Sequence, residues 1–194
     1  MSWALDLAKE RLAENPSYPL FGVIIYTDTQ PNIKKVLRDP DYWKALDEIS
    51  GPKWSVFSVR ADSGGWDVPD LPDGYLGHMI PVWKEPSSNK ELLSAFELDD
   101  SSSLPLLAVF ALSDMELSRV AIPLNESSCE TAFSSLKEAF LGVNEVLSGL
   151  ETTSNFNSDT VVKEVERKFK RHQSARRLKK AYLVLKEIRS WLPL

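Results

Sequence analysis

The sequence predicts an α/β protein built on a central mixed sheet, with a C-terminal helical extension. Three observations lead there. Residues 20–27, Leu-Phe-Gly-Val-Ile-Ile-Tyr-Thr, are apolar on both faces, as a central strand requires, and run through Asp28-Thr29-Gln30-Pro31 into a helical pattern. Trp54-Ser55-Val56-Phe57-Ser58-Val59-Arg60 alternates with the period of two that marks a second strand. From Cys129 to Leu150, apolar residues recur at spacings of four and three, the stripe of one long amphipathic helix.

The remaining elements follow in order. Residues 2–14 read as a short helix stopped by Asn15-Pro16. Pro31 suits the first position of a helix whose apolar side is Ile33, Val36 and Leu37. Asp39 then caps a second helix, Pro40 takes its first position, and Tyr42, Trp43, Leu46 and Ile49 continue the stripe to Gly51-Pro52. Residues 61–88 are punctuated throughout by glycine and proline, yet hold Trp66, Tyr75, Met79 and Trp83. That composition predicts an ordered insertion packed on the body, with a short strand at 79–83. A helix is expected over 89–98, a strand from Leu104 to Phe110, and a turn at Ser113-Asp114 into a partner strand over 117–124. Ser127 and Glu130 are spaced as a capping box for the long helix. Residues 152–158 are rich in Ser, Thr and Asn and read as a linker. The expected organisation is a domain over 1–151, the linker, and a basic helical extension over 159–194.

At 194 residues the chain is long enough for a substantial core. No stretch approaches the ~18 consecutive apolar residues of a membrane span. The first residues have neither the basic nor the apolar region of a secretion signal, and Cys129 is the single cysteine, so a cytoplasmic location is expected. The net charge of −5 is unevenly distributed: residues 158–194 hold eleven Lys or Arg against four Asp or Glu, while the rest of the chain is acidic.

The order helix, strand, helix, strand, helix, proline-led strand, hairpin strand, helix resembles the thioredoxin-like fold, a three-layer αβα sandwich. In that superfamily a cis proline opens the third sheet strand and faces the redox motif. The resemblance therefore implies a cis Leu104–Pro105 bond. The Asp39-Pro40 restart of the helix, followed by Trp43 and Leu46, is also similar to thioredoxin-like domains. The superfamily's paired cysteines would fall at the elbow, and this chain has Asp28-Thr29-Gln30-Pro31 there. Thiol–disulfide exchange needs a thiolate as the attacking group. Redox activity is accordingly not expected, and Cys129 belongs to a different helix.

No other motif points to catalysis. Asp62, Asp67, Asp70 and Asp73 lack the alternating ligands, central glycine and terminal glutamate of a calcium loop. His78 and His172 have no neighbours at metal-ligand spacing, and no cofactor is expected. Binding is the expected role. The elbow residues Asp28, Thr29 and Gln30, Pro105, and the aromatics Trp66 and Trp83 form the expected recognition surface. In the extension, Val162, Val165 and Phe169 share one side, whereas Leu178, Tyr182, Leu185, Ile188 and Leu192 project to nearly the opposite side, which places a break near Ser174. The later stripe is expected to engage a protein partner or a second copy. Arg176, Arg177, Lys179 and Lys180 supply the alternative, a nucleic-acid-associated subunit binding phosphates through 163–180. An amphipathic helix on an anionic membrane is the least favoured use of the extension. A third reading is a transferase-like enzyme holding glutathione at Tyr26, Thr27 or Thr29.

Overall fold

The computed structural model describes residues 20–60, 79–81, 93–94, 98, 104–113, 116–151 and 160–170. Apolar residues alternate to both sides of the first strand, β1 (Leu20–Tyr26), and all but its last residue are buried, which places it at the centre of a sheet. It is followed by α1 (Pro31–Arg38), α2 (Pro40–Ser50), β2 (Ser55–Arg60), β3 (Met79–Pro81), β4 (Leu106–Ser113), β5 (Glu116–Pro123) and α3 (Cys129–Glu151). A further helix, α4, covers residues 160–170. The five strands lie in the order β3-β2-β1-β4-β5. β1, β2 and β3 are parallel, and β4 and β5 continue the sheet antiparallel. The protein is therefore α/β with a mixed sheet, as expected. The parallel β1–β2 pair needs a crossover connection, and α1 with α2 supplies it.

Several helix boundaries have a local cause. Pro31 opens α1, and the Asp39 backbone N–H closes it on the Lys35 carbonyl. Asp39 Oδ1 accepts from the N–H groups of Asp41 at 3.0 Å and Tyr42 at 3.2 Å, so the residue that ends α1 also starts α2. α2 stops at Gly51, whose φ of 67° suits glycine. The third cap departs from expectation by one residue: Ser128, rather than Ser127, accepts from Thr131 N–H at 3.1 Å. Ser127 instead donates its N–H to Asn125 Oδ1. Strand β4 begins at Leu106, two residues later than expected. Proline has no N–H for the ladder, and Pro105 contributes only its carbonyl, which accepts from Leu124 N–H at 2.9 Å.

One face of the sheet carries Leu20, Ile24, Val56, Leu107, Val109 and Ile122 into a core shared with α1, α2, α3 and α4. α1 contributes Ile33, Val36 and Leu37, α2 contributes Trp43 and Leu46, and α3 contributes Leu136, Phe140, Val143 and Leu147. The Trp54 indole lies over Gly22, where an added Cβ would come within 2.5 Å of the ring, and meets Phe140 edge to face at 5.5 Å. The opposite face is equally apolar and buried, with the Phe21 ring stacked on Phe110 at 5.2 Å and set edge-on to Phe57 at 6.4 Å.

Residues 160–170 were expected to open an extension beyond a linker. They share the main core through buried Val161, Val162 and Val165. Phe169 packs so closely on α3 that a Cβ on Gly142 would stand 2.7 Å from its ring. Lys168 reaches Glu145 of α3 at 2.5 Å.

Candidate functional site

Three segments meet at the carboxyl end of β1. The first is the elbow that follows the strand. The second is Pro105: Leu106 pairs with Ile25, so the residue before it lies at the same end of the sheet. The Leu104–Pro105 peptide is cis, as the resemblance implied. The third is the stretch after β5, whose last residue Pro123 pairs with Leu106 and which continues through Asn125 and Glu126. In open α/β sheets this end is where ligands generally bind.

The elbow is closed on itself. Gln30 N–H donates to the Thr27 carbonyl at 3.1 Å, completing a turn. The Gln30 side chain folds back so that Oε1 accepts from Thr27 N–H at 2.7 Å and from the Thr27 hydroxyl at 2.8 Å. Gln30 Nε2 donates to Thr29 Oγ1 at 2.7 Å, and the two threonine hydroxyls are 2.7 Å apart. With the Thr27 hydroxyl donating to Gln30, the Thr29 hydroxyl must donate to Thr27. One directional ring results, running from the Gln30 amide through Thr29 and Thr27 and back to the Gln30 carbonyl oxygen. Each member polarises the next, so the ring is more than a sum of weak bonds. Thr27 is buried, Thr29 is exposed, and Asp28 at the outer corner pairs with Lys34.

The N-terminus of α1 is occupied by a residue that local sequence reading did not select. Gln30 makes no side-chain cap to α1. Glu126 does, from the loop that follows β5: its carboxylate accepts from Asn32 N–H at 2.6 Å through Oε1 and from Ile33 N–H at 2.9 Å through Oε2. Asn32 Nδ2 returns a bond of 2.9 Å to the Glu126 carbonyl. A negative carboxylate on the first free N–H groups of a helix satisfies both those donors and the helix dipole. The position where a thiolate would gain most from the helix thus already holds an anion of the protein's own. Only one signal in the sequence bears on this, the lack of any Ser, Thr, Asp or Asn at the α1 N-cap.

Cys129 stands apart from this end of β1, at the first position of α3, half-buried. It neighbours Tyr42, whose ring packs on Phe133 at a centroid distance of 4.8 Å. The charge of Cys129, then loss of hydration and the carboxylates of Glu130 and Asp39, push the Tyr42 hydroxyl above its ordinary range. The Glu130 carboxyl is pulled below its usual value, chiefly by its own backbone N–H and by the Ser128 side chain, with Lys35 adding to the effect.

No protein-family model, curated protein or solved structure matches the chain. Among the described residues no group of His, Cys, Asp and Glu is placed to hold a metal ion. No described helix is long and apolar enough to cross a membrane.

The structure brings Asp28, Thr29, Gln30 and Pro105 to one end of the sheet, and adds Asn32 and Glu126 to them. Trp66 and Trp83 of the insertion, and Arg176, Arg177, Lys179 and Lys180 of the C-terminal segment, lie outside the described residues.

Proposed function

We propose that this chain is a non-catalytic, thioredoxin-like binding or scaffold protein that engages a protein partner through its C-terminal segment and its 61–88 insertion. The element order and the cis Leu104–Pro105 bond support the thioredoxin-like reading. The observation that carries the non-catalytic part is the pair of bonds from Asn32 N–H and Ile33 N–H to Glu126. Together with the Thr27–Thr29–Gln30 ring, these bonds commit the polar groups of the sheet end to the fold. A site whose donors are already satisfied gains little by attacking or polarising a bond. The recognition role then passes from the elbow to the aromatic insertion and to the apolar stripe that begins at Leu178.

Three measurements test this. In an insulin-reduction assay the full-length protein should give no turnover above the reductant alone; turnover that disappears in Cys129→Ser would overturn the reading. Millimolar glutathione should leave the melting temperature unchanged, whereas a saturable rise would favour the transferase-like alternative. Partner capture should be compared between the full chain and one ending at Lys170, because cutting before residue 160 removes Val161, Val162 and Val165 from the core. Retention of every partner by the shorter chain would move the binding surface to the body.

A further inference from the structure

We propose, beyond the protein-partner reading, that Ser127 is a phosphorylation site and that a phosphate there opens the clasp between Glu126 and α1. The starting point is a motif that the fold leaves unused. Ser127 and Glu130 have capping-box spacing, yet it is Ser128 that caps α3, by accepting from Thr131 N–H. Ser127 is exposed, and among the described residues its hydroxyl makes no hydrogen bond. Glu130 is exposed as well. A serine hydroxyl followed three residues later by an accessible carboxylate is a substrate for an acid-directed serine kinase.

Ser135 with Glu138, and Ser148 with Glu151, repeat the spacing, and the structure sets them apart. Both serines lie within α3, where the main chain is held in helical hydrogen bonds and cannot extend into a kinase cleft. Their hydroxyl oxygens are also engaged, Ser135 by Asn125 N–H at 3.0 Å and Ser148 by Lys53 Nζ at 3.1 Å. Ser127 stands instead in the loop between β5 and α3, its N–H bonded to Asn125 Oδ1 of the same loop. Surface loops are where other proteins reach the chain most readily.

In the reaction Ser127 Oγ attacks the γ-phosphorus of ATP. The Oγ–P bond forms as the bond to the β–γ bridging oxygen breaks, ADP leaves, and the hydroxyl proton passes to the kinase's base. The phosphate carries about −1.5 to −2 charges at neutral pH. Its surroundings decide what that charge does. The N–H groups of Asn32 and Ile33 are already held by Glu126, and that of Thr131 by Ser128. The phosphate therefore meets the carboxylates of Glu126 and Glu130 while these donors are taken, and like-charge repulsion outweighs new hydrogen bonding. Lys35, which acts on Glu130, brings a single positive charge against it. Glu126 is the adjoining residue, so its clasp on α1 bears the repulsion.

The test treats the full-length protein with ATP and a purified serine kinase that requires a carboxylate three residues after its target. Peptide mass spectrometry then locates the phosphate. Ser127 should be modified at least about tenfold faster than Ser135 or Ser148, and Glu130→Gln should slow it about tenfold. Hydrogen exchange compares the modified and unmodified protein. The Asn32 and Ile33 amides should exchange about tenfold faster after modification, while those of Asp41 and Tyr42 at the start of α2 stay unchanged. No phosphate at Ser127, or a rate indifferent to Glu130→Gln, would overturn the site. Unchanged exchange at Asn32 and Ile33 in the phosphorylated protein would overturn its effect on the clasp. Both wild-type measurements decide the matter even if the variant fails to fold.

Discussion

The starts of α1 and α2, at Pro31 and Pro40, lie nine residues apart, yet they are capped by opposite strategies. At α2, Asp39 accepts from Asp41 and Tyr42, its own near neighbours in the chain. At α1 no local side chain serves, and the donors of Asn32 and Ile33 are met by Glu126, 94 and 93 positions away. A local cap stabilises one helix. A cap borrowed from a distant loop also ties that helix to the strand end that supplies it, so α1, β5 and the start of α3 hold one another in place.

This contrast predicts a graded set of effects. Glu126→Ala should be the most damaging, about 2–4 kcal/mol by chemical denaturation, because it removes two charge-assisted bonds and strands two helix donors. A loss below that of Asp39→Ala would break the contrast. Asp39→Ala should cost about 1 kcal/mol, the ordinary value of an N-cap, and should be additive with Glu126→Ala if the two caps are independent. Asn32→Ala should cost about 0.5–1.5 kcal/mol and couple to Glu126→Ala in a double-mutant cycle, since both bonds belong to one clasp. The smallest effect belongs to Glu130, whose carboxyl is held below its usual value in the folded protein. A depressed carboxyl pKa adds stability above the unfolded value and loses it as pH falls through the folded one. Glu130→Gln should therefore leave the acid limb of the stability profile slightly flatter, and an unchanged limb would remove Glu130 from the account.

The same contrast explains what could be read from the chain alone. Pro31, the Asp39-Pro40 pair and Gly51 act on their immediate neighbours, and they placed α1, α2 and their ends correctly. The alternation in Trp54–Arg60 and the stripe from Cys129 to Leu150 report burial of the element that contains them, and β2 and α3 appear where they indicated. Glu126 carried no such signal, because a glutamate in a turn looks the same whether it faces water or a distant helix end. The cap of α3 is of the same kind: Ser127 has the capping-box spacing to Glu130, yet the backbone path selects Ser128, which accepts from Thr131 N–H. The Ser-, Thr- and Asn-rich stretch at 152–158 suggested a boundary. Composition, however, does not reveal that Val161, Val162 and Val165 return to the core.

The return of α4 also bears on how the protein is made. The helical side of the core cannot close when α3 is finished, because Val165, which belongs to it, lies beyond the end of that helix. At a synthesis rate of about 5–20 residues per second, a nascent chain waits roughly one to three seconds between completing α3 and releasing that residue. During the interval the groove around Gly142, which Phe169 later covers, stays open to solvent and to whatever chaperone is near. A ribosome stalled in this window would hold a nearly complete sheet with one side of its helical layer unsealed.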